Sequence, residues 1–452
     1  MPHTSARAFA RAEGASFINW QTLVTQTQPA AELDRPRALK LWLAWTTVLL
    51  FAFFAWITLF RAGPYGAPGH QWGSPAHRTD FTVYRDAAAA VLHGQDPYVI
   101  RNVRGWAYVY PPPYSIAMIP FALLPLPVSV LAWYLVCAGL TISAVSMAGR
   151  LAGIGFSSER ARLAITFIPA LIVSVWFTVG LTRGQASVLM TWLVIAAIFW
   201  ERTGKTWAAS ACLGGAVLLK AFALTLLCYY VWRGRRKMAA ASLVAIFLGG
   251  LVLPSAVFGL RGNVHYIGEW TREVAGPALG SESTRTHSEL YDQLLSMERP
   301  RNQDLGSVMQ RLFKGNQTRL MVMAVALALA LPIWLLGRKA DEETEPLILG
   351  AVVVWMLLVS PVAEDHYFSL YVLPAGYALA ASMRAQGLHR RLGYAGLAIV
   401  GLLNVGAVLD LGRGFEVYGA VFWGGLVLLM LLLHLAYYAP RQRRDVTRAA
   451  SA

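Results

Sequence analysis

Asp80 stands in the stretch Thr79-Asp80-Phe81-Thr82-Val83-Tyr84-Arg85-Asp86. If this stretch is helical, Asp80, Val83 and Tyr84 share a face, because neighbours on a helix surface are three or four residues apart, and Asp86 points elsewhere. Asp80 is then either a catalytic carboxylate or a helix N-cap, and from the stretch alone the cap is the simpler reading. Lys220 lies between two apolar pieces, and Arg183 and Gln185 lie in the tight turn Thr182-Arg183-Gly184-Gln185. Fixed cations at membrane depth suit a lipid-phosphate head group. Lysines and arginines at helix ends also snorkel to the interface with no ligand at all. The run Ser360-Pro361-Val362-Ala363-Glu364-Asp365-His366-Tyr367 adds two carboxylates and an imidazole. A metal needs three or more converging ligands and adjacent side chains rarely all converge, so no metal is expected there. His366 reads as a contact to phosphate or a sugar hydroxyl, with a capping Asp365 and a histidine at the aqueous boundary as the competing reading. Further along, His287, Tyr291, Asn302, Gln303, Asp304 and Arg311 are groups of the kind that bind sugars or phosphates. The Asn316-Gln317-Thr318 triplet matches a glycosylation acceptor but abuts an apolar span.

The elements that must hold these groups are set by composition. Of 452 residues, 56% are apolar and 14% charged, outside the range of ordinary soluble domains. A plain cytosolic enzyme is excluded. Uncharged apolar runs recur, and about 20 such residues suffice to cross a bilayer as a helix. The chain is expected to be an all-α polytopic membrane protein. Its net charge of +15 fits basic loops against anionic lipid better than nucleic acid, for which no motif argues. Cys137, Cys212 and Cys228 all lie inside apolar runs and read as small core residues.

Twelve apolar segments follow a polar tail at 1–40: 41–60, 128–147, 163–181, 186–200, 206–219, 221–232, 238–260, 320–337, 346–362, 367–383, 392–409 and 417–439. With twelve crossings and a cytoplasmic start, the tails and even-numbered connections return inside and hold 23 of the 39 basic residues, Arg233, Arg235, Arg236 and Lys237 being the densest knot. Thirteen of the remaining sixteen sit in two long outside connections, 61–127 and 261–319, where the charge rule does not apply. Loops that long are usually functional. The first ends in Tyr110-Pro111-Pro112-Pro113-Tyr114 and an apolar stretch to Leu126 that reads as an interfacial helix. Residues 206–232 are either one helix with Lys220 inside or two short ones turning at Lys220. The domain reading is a cytoplasmic tail at 1–40, one membrane domain at 41–439 and a basic cytoplasmic tail at 440–452.

Several motifs together resemble glycosyltransferase family 87, within the GT-C superfamily of membrane enzymes that use polyprenyl-phosphate sugars. They are Asp80-Phe81 with Val83-Tyr84, Gly94-Gln95-Asp96-Pro97-Tyr98, Tyr110-Pro111-Pro112, Gly184-Gln185, Leu219-Lys220, Asn302-Gln303 with Arg311, and Ser360-Pro361 through His366. The resemblance runs from about Asp80 to His366. The sequence departs from it at Ala221, where a proline is usual, and at Asp304, where a serine is common.

The resemblance implies a GT-C bundle of about 12 (10–13) transmembrane helices in the inner (cytoplasmic) membrane, both termini cytoplasmic and the active site outside. It implies inverting transfer of a hexose, often mannose, from a polyprenyl phosphate to a lipid or glycan acceptor, with Asp80 as general base. Lys220, His366, Arg183, Gln185, Tyr84 and Tyr110 are then expected at the donor phosphate or sugar, and His287, Asn302, Gln303 and Asp365 at the acceptor or sugar. No cofactor, metal or nucleic acid is expected; the lipid-linked sugar is a substrate. The chemistry agrees, since displacement at an anomeric carbon passes through an oxocarbenium-like transition state and a phosphate leaving group needs little protonation. One carboxylate suffices. The rival class is a transporter or flippase of lipid-linked sugars, but no pairing of the first six segments with the last six is evident.

Overall fold

The computed structural model describes residues 34–59, 79–102, 105–280, 282–313, 318–409 and 414–451. Asn316 and Gln317 of the expected glycosylation triplet and most of the N-terminal tail fall outside these residues. The chain divides into Met1–Leu43 and Ala44–Ala452. In the first unit the described residues open the helix Asp34–Leu59. All further geometry lies in the second.

Among the described residues the secondary structure is helical, and each expected apolar segment forms helix. Six helices among the described residues are long and apolar enough to cross a membrane, which makes the chain multi-pass, and a bent pair raises the number to seven. Twelve self-sufficient spans are not seen. The bent pair is Glu159–Ile172 and Ser174–Arg183, turned by 60° just after Pro169, whose ring removes a backbone donor and kinks the helix. Other segments form shorter helices covered by their neighbours: Glu345–Leu358 is buried along nearly its whole length, as are Val372–Arg384 and much of Ser187–Arg202. The outer helices instead expose Leu243, Phe247, Leu327 and Leu331, surfaces suited to lipid. Of the cysteines only Cys137 is buried; Cys228 is exposed.

Two expectations change in detail. The helical run that starts at Arg236 kinks at Gly259, which is non-helical at φ 70° and ψ 158°, and a second helical stretch continues beyond it to Leu279. The expected loop at 261–319 is therefore helical at its start. The stretch after Tyr110 forms two short helices, Pro112–Ala117 and Ile119–Ala122, broken at Met118.

The alternatives for 206–232 are resolved. Thr206–Leu219 ends at Lys220, whose backbone is extended, and a short turn leads into Leu224–Trp232, so there are two helices. They run between two distinct sets of connections. At one end Glu345 meets Arg202 at 3.0 Å, Arg235 at 3.0 Å and Arg233 at 3.5 Å, while Arg235 also pairs with Glu201. That cluster joins three connections expected inside. At the other end lie Asp80, the Arg183–Gln185 turn, Lys220 and the turn at 360–367, all expected outside.

Candidate functional site

Thr79 precedes the helix Phe81–Leu92, and Asp80 takes its N-cap position, but its side chain makes no cap hydrogen bond. Instead Gln185 Nε2 donates to Asp80 Oδ2, and the Asp80 backbone N–H donates to Arg183 O at 3.0 Å. The turn that carries Arg183 and Gln185 is thus tied to the start of the Asp80 helix. It closes on Gly184, which is left-handed at φ 64°. A Cβ there would stand 2.8 Å from that of Phe81, so the turn approaches Asp80 only because residue 184 has no side chain. Trp133 Nε1 donates to Gly184 O at 2.9 Å and holds the turn from behind.

From Gln185 a line of hydroxyls crosses the site. Tyr84 Oη donates to Gln185 Oε1 at 3.1 Å, Tyr84 and Tyr110 hydroxyls lie 3.4 Å apart, and Tyr110 and Tyr367 hydroxyls are also 3.4 Å apart. Burial pushes the phenols of Tyr84 and Tyr110 up from their ordinary range, so both keep their protons. Lys220 Nζ stands 3.7 Å from the centre of the Tyr367 ring, in cation–π contact.

These groups share one cavity of about 400 Å³, walled by Asp80, Tyr84, Tyr110, Arg183, Gln185 and Lys220 among others, a size ordinary for small-ligand sites. Apolar side chains such as Trp106, Phe222 and Trp270 form much of the rest. The 107–109 segment is fixed to the second long loop by Gln293, which both accepts from Ala107 N and donates to Ala107 O, and by Trp270 Nε1 donating to Val109 O.

Other candidates do not line the cavity. Asn302 is buried and donates to Leu294 O and Ser296 O, Gln303 donates to Glu416 O, and His287 is exposed on the surface. Asn302 and Gln303 brace backbone: Gln303 N donates to Ala363 O at 2.8 Å and Asp365 N to Arg301 O at 3.0 Å. This docks the second loop against the 360–367 turn. Asp365 turns back on His366, accepting from its backbone N–H at 2.7 Å and facing Nδ1 at 3.3 Å. His366 is buried behind the wall, its Nε2 3.8 Å from Glu364 Oε2 and its ring tilted against Tyr367 at 4.6 Å.

Glu364 is the carboxylate that this turn places on the cavity wall. Burial would raise its carboxyl, but the charges of His366, Arg299 and Lys220 outweigh it and hold the group below the usual carboxylate range. Asp365 is likewise held low against burial, chiefly by its hydrogen bond with His366. Lys220 moves the other way: burial pushes its ammonium down to about 8, against the pull of Glu364 and Asp304, although part of the side chain opens on the cavity. Glu364, Arg301 and Tyr367 were not picked out by sequence reasoning. Of the two adjacent carboxylates the expectation fell on Asp365, whereas Glu364 is the one that lines the cavity.

The site therefore joins a hydrogen-bonded carboxylate, three wall cations (Arg183, Lys220 and Arg301) and the carboxylate of Glu364 in a largely apolar pocket. Such a set can accept a proton at one end and hold an anion at the other.

The model of glycosyltransferase family 87 matches residues 108–361. That stretch holds Tyr110, Arg183, Gln185 and Lys220; it begins after Asp80 and ends before Glu364. The chain is similar to a polyprenol-phosphate-mannose-dependent alpha-(1-2)-phosphatidylinositol mannoside mannosyltransferase of Mycolicibacterium smegmatis, 29% identical over 67% of this chain and 69% of the relative. A protein of the same description from Mycobacterium tuberculosis is 26% identical over 67% of this chain and 70% of its own. Among solved structures, ArnT from Cupriavidus metallidurans bound to undecaprenyl phosphate aligns with a TM-score of 0.37 and 16% identity, covering 90% of this chain and 79% of that one.

Proposed function

Because the chain belongs to glycosyltransferase family 87, we propose that it moves a hexose, mannose first among them, from a polyprenyl-phosphate donor to a lipid or glycan acceptor. Transfer takes place with inversion at the extracytoplasmic face of the cytoplasmic membrane, with both termini inside and the shorter helices completing a GT-C bundle of about twelve crossings. The observation that carries the reading is that Asp80 and Lys220 wall one cavity, a carboxylate and a cation at the two ends of a hydroxyl line. The donor named for both mannosyltransferase relatives is polyprenol-phosphate mannose, and it suits this site. Leu224 and Leu279 line the cavity and are exposed on its flank, as an isoprenoid chain requires.

In the reaction the acceptor oxygen attacks the anomeric carbon as the bond from that carbon to the phosphate oxygen breaks. The bonding pair leaves on the phosphate, and the hydroxyl proton passes to the Asp80 carboxylate. Lys220 and Arg183 take the growing phosphate charge, each such group being worth roughly 2.7 to 4 kcal/mol by analogy with oxyanion-hole donors. The two ends of the molecule support the sidedness, since connections assigned outside by charge meet at the cavity and those assigned inside meet at Glu345.

The test is to incubate the purified protein with a panel of prenyl-phosphate sugars and membrane extract, with and without a chelator, and identify products by mass spectrometry. A new glycoside made from the mannose donor, unaffected by chelation, is expected. Sugar crossing a liposome bilayer with no new glycosidic bond would mean a transporter instead.

A further inference from the structure

The hydroxyl line has a direction. Tyr84 has one proton, and it donates it to Gln185 Oε1 at 3.1 Å. With that proton spent, Tyr84 Oη must accept from Tyr110, 3.4 Å away. Tyr110 has then spent its own proton and must accept from Tyr367. Every member thus donates toward Asp80, in the order Tyr367, Tyr110, Tyr84, Gln185. An amide whose oxygen is held by a phenol can offer only its NH₂ on the other side, and that NH₂ meets Asp80 Oδ2.

Resting on the assignment of Asp80 as base, we propose that Gln185 is a positioning residue for that base, its amide locked in the donating orientation by Tyr84 and the tyrosines behind it. A carboxylate at a helix start can rotate about its side-chain torsions. One charge-assisted hydrogen bond fixes the plane of this one toward the cavity. The same bond keeps the carboxylate ionised and ready to accept a proton, since donation to the charged form favours it. Because donors aligned in one direction polarise each other, removing a member two steps away weakens the last bond as well. The tyrosines are thereby more than aromatic wall: their hydroxyls determine which end of the Gln185 amide faces Asp80.

The experiment reads the protonation of Asp80 directly. The full chain, in lipid nanodiscs, is treated with dicyclohexylcarbodiimide, which labels protonated carboxyls, across a pH series, and the Asp80 peptide is quantified by mass spectrometry. The pH–rate profile with a polyprenyl-phosphate mannose and membrane extract is recorded in parallel. Tyr84→Phe and Gln185→Ala, which remove donors, should each move the labelling midpoint up. Gln185→Glu should move it furthest, by about one pH unit or more, because two adjacent carboxylates cannot both ionise freely. The acid limb of kcat/KM should follow the labelling midpoint in all three, and a role confined to stability would leave both curves in place. Should Gln185→Glu fail to fold, Tyr84→Phe, a loss of one oxygen atom, still decides the matter. An unshifted labelling midpoint in every folded variant overturns the proposal. Shifted labelling with an unshifted rate profile keeps the contact and instead removes Asp80 from the role of base.

Discussion

The Lys220 ammonium nitrogen sits 3.7 Å above the centre of the Tyr367 ring, so one of the cavity's cations is anchored by the residue that begins the hydroxyl line to Asp80. This links the two ends of the proposed reaction through one aromatic side chain. It also gives Lys220 a preferred position without neutralising its charge, as a phosphate-binding cation requires.

The lowered pKa of Lys220, about 8, sets a basic limit on activity. kcat/KM, which reports the free enzyme, should fall as pH rises through about 8. Stability should do the opposite. An unfolded lysine titrates near ~10.4, so between about 8 and that value the unfolded chain binds more protons than the native one, and unfolding becomes harder as pH rises. Activity and unfolding midpoint measured on one pH series should therefore diverge above pH 8. Lys220→Met should abolish both trends and reduce kcat/KM by roughly 10²-fold or more.

Glu364→Gln should move the basic limb to lower pH. Glu364 is the chief charge that holds the Lys220 ammonium up, and without it burial acts with less opposition. The pH at which kcat/KM falls to half is the quantity to compare. An unmoved limb would mean that Lys220 is not the titrating group.

Glu345→Gln should destabilise the protein, by less than the about 3 to 5 kcal/mol lost when a fully buried pair is broken, because the arginines it leaves without their partner are only partly buried. Arg202, Arg233 and Arg235 all converge on this carboxylate, and Tyr229 Oη donates to it at 3.1 Å. The loss is read as a lower unfolding temperature in detergent. Turnover per folded molecule should stay near wild type, because the cluster lies at the opposite end of the helices from the cavity.

Much of this arrangement was legible in the sequence where spacing alone carried the geometry. The interval from Asp80 to Val83 and Tyr84 places all three on one cavity wall, as the helical period requires. The Arg183–Gln185 turn was legible for the same reason, since a glycine between two apolar runs marks a left-handed stop. Side-chain type did not separate ligands from braces. Asn302 and Gln303 are as polar as any sugar contact, yet their amides serve backbone carbonyls, and His366 faces Asp365 and Glu364 rather than the cavity. Span counting was limited by a related effect. A helix such as Glu345–Leu358 is covered by its neighbours, so its length need not match a bilayer, and the apolar run overstates what it can cross alone.

The most direct test of the account is the turnover of Asp80→Asn with a polyprenyl-phosphate mannose and membrane extract, measured beside donor binding. The substitution keeps the shape of the side chain at the start of the Phe81–Leu92 helix and removes its ability to take a proton. A fall in kcat of about 10² to 10⁴, the usual worth of a general base, with donor affinity unchanged, is the predicted result. Turnover close to that of the unaltered protein would contradict it.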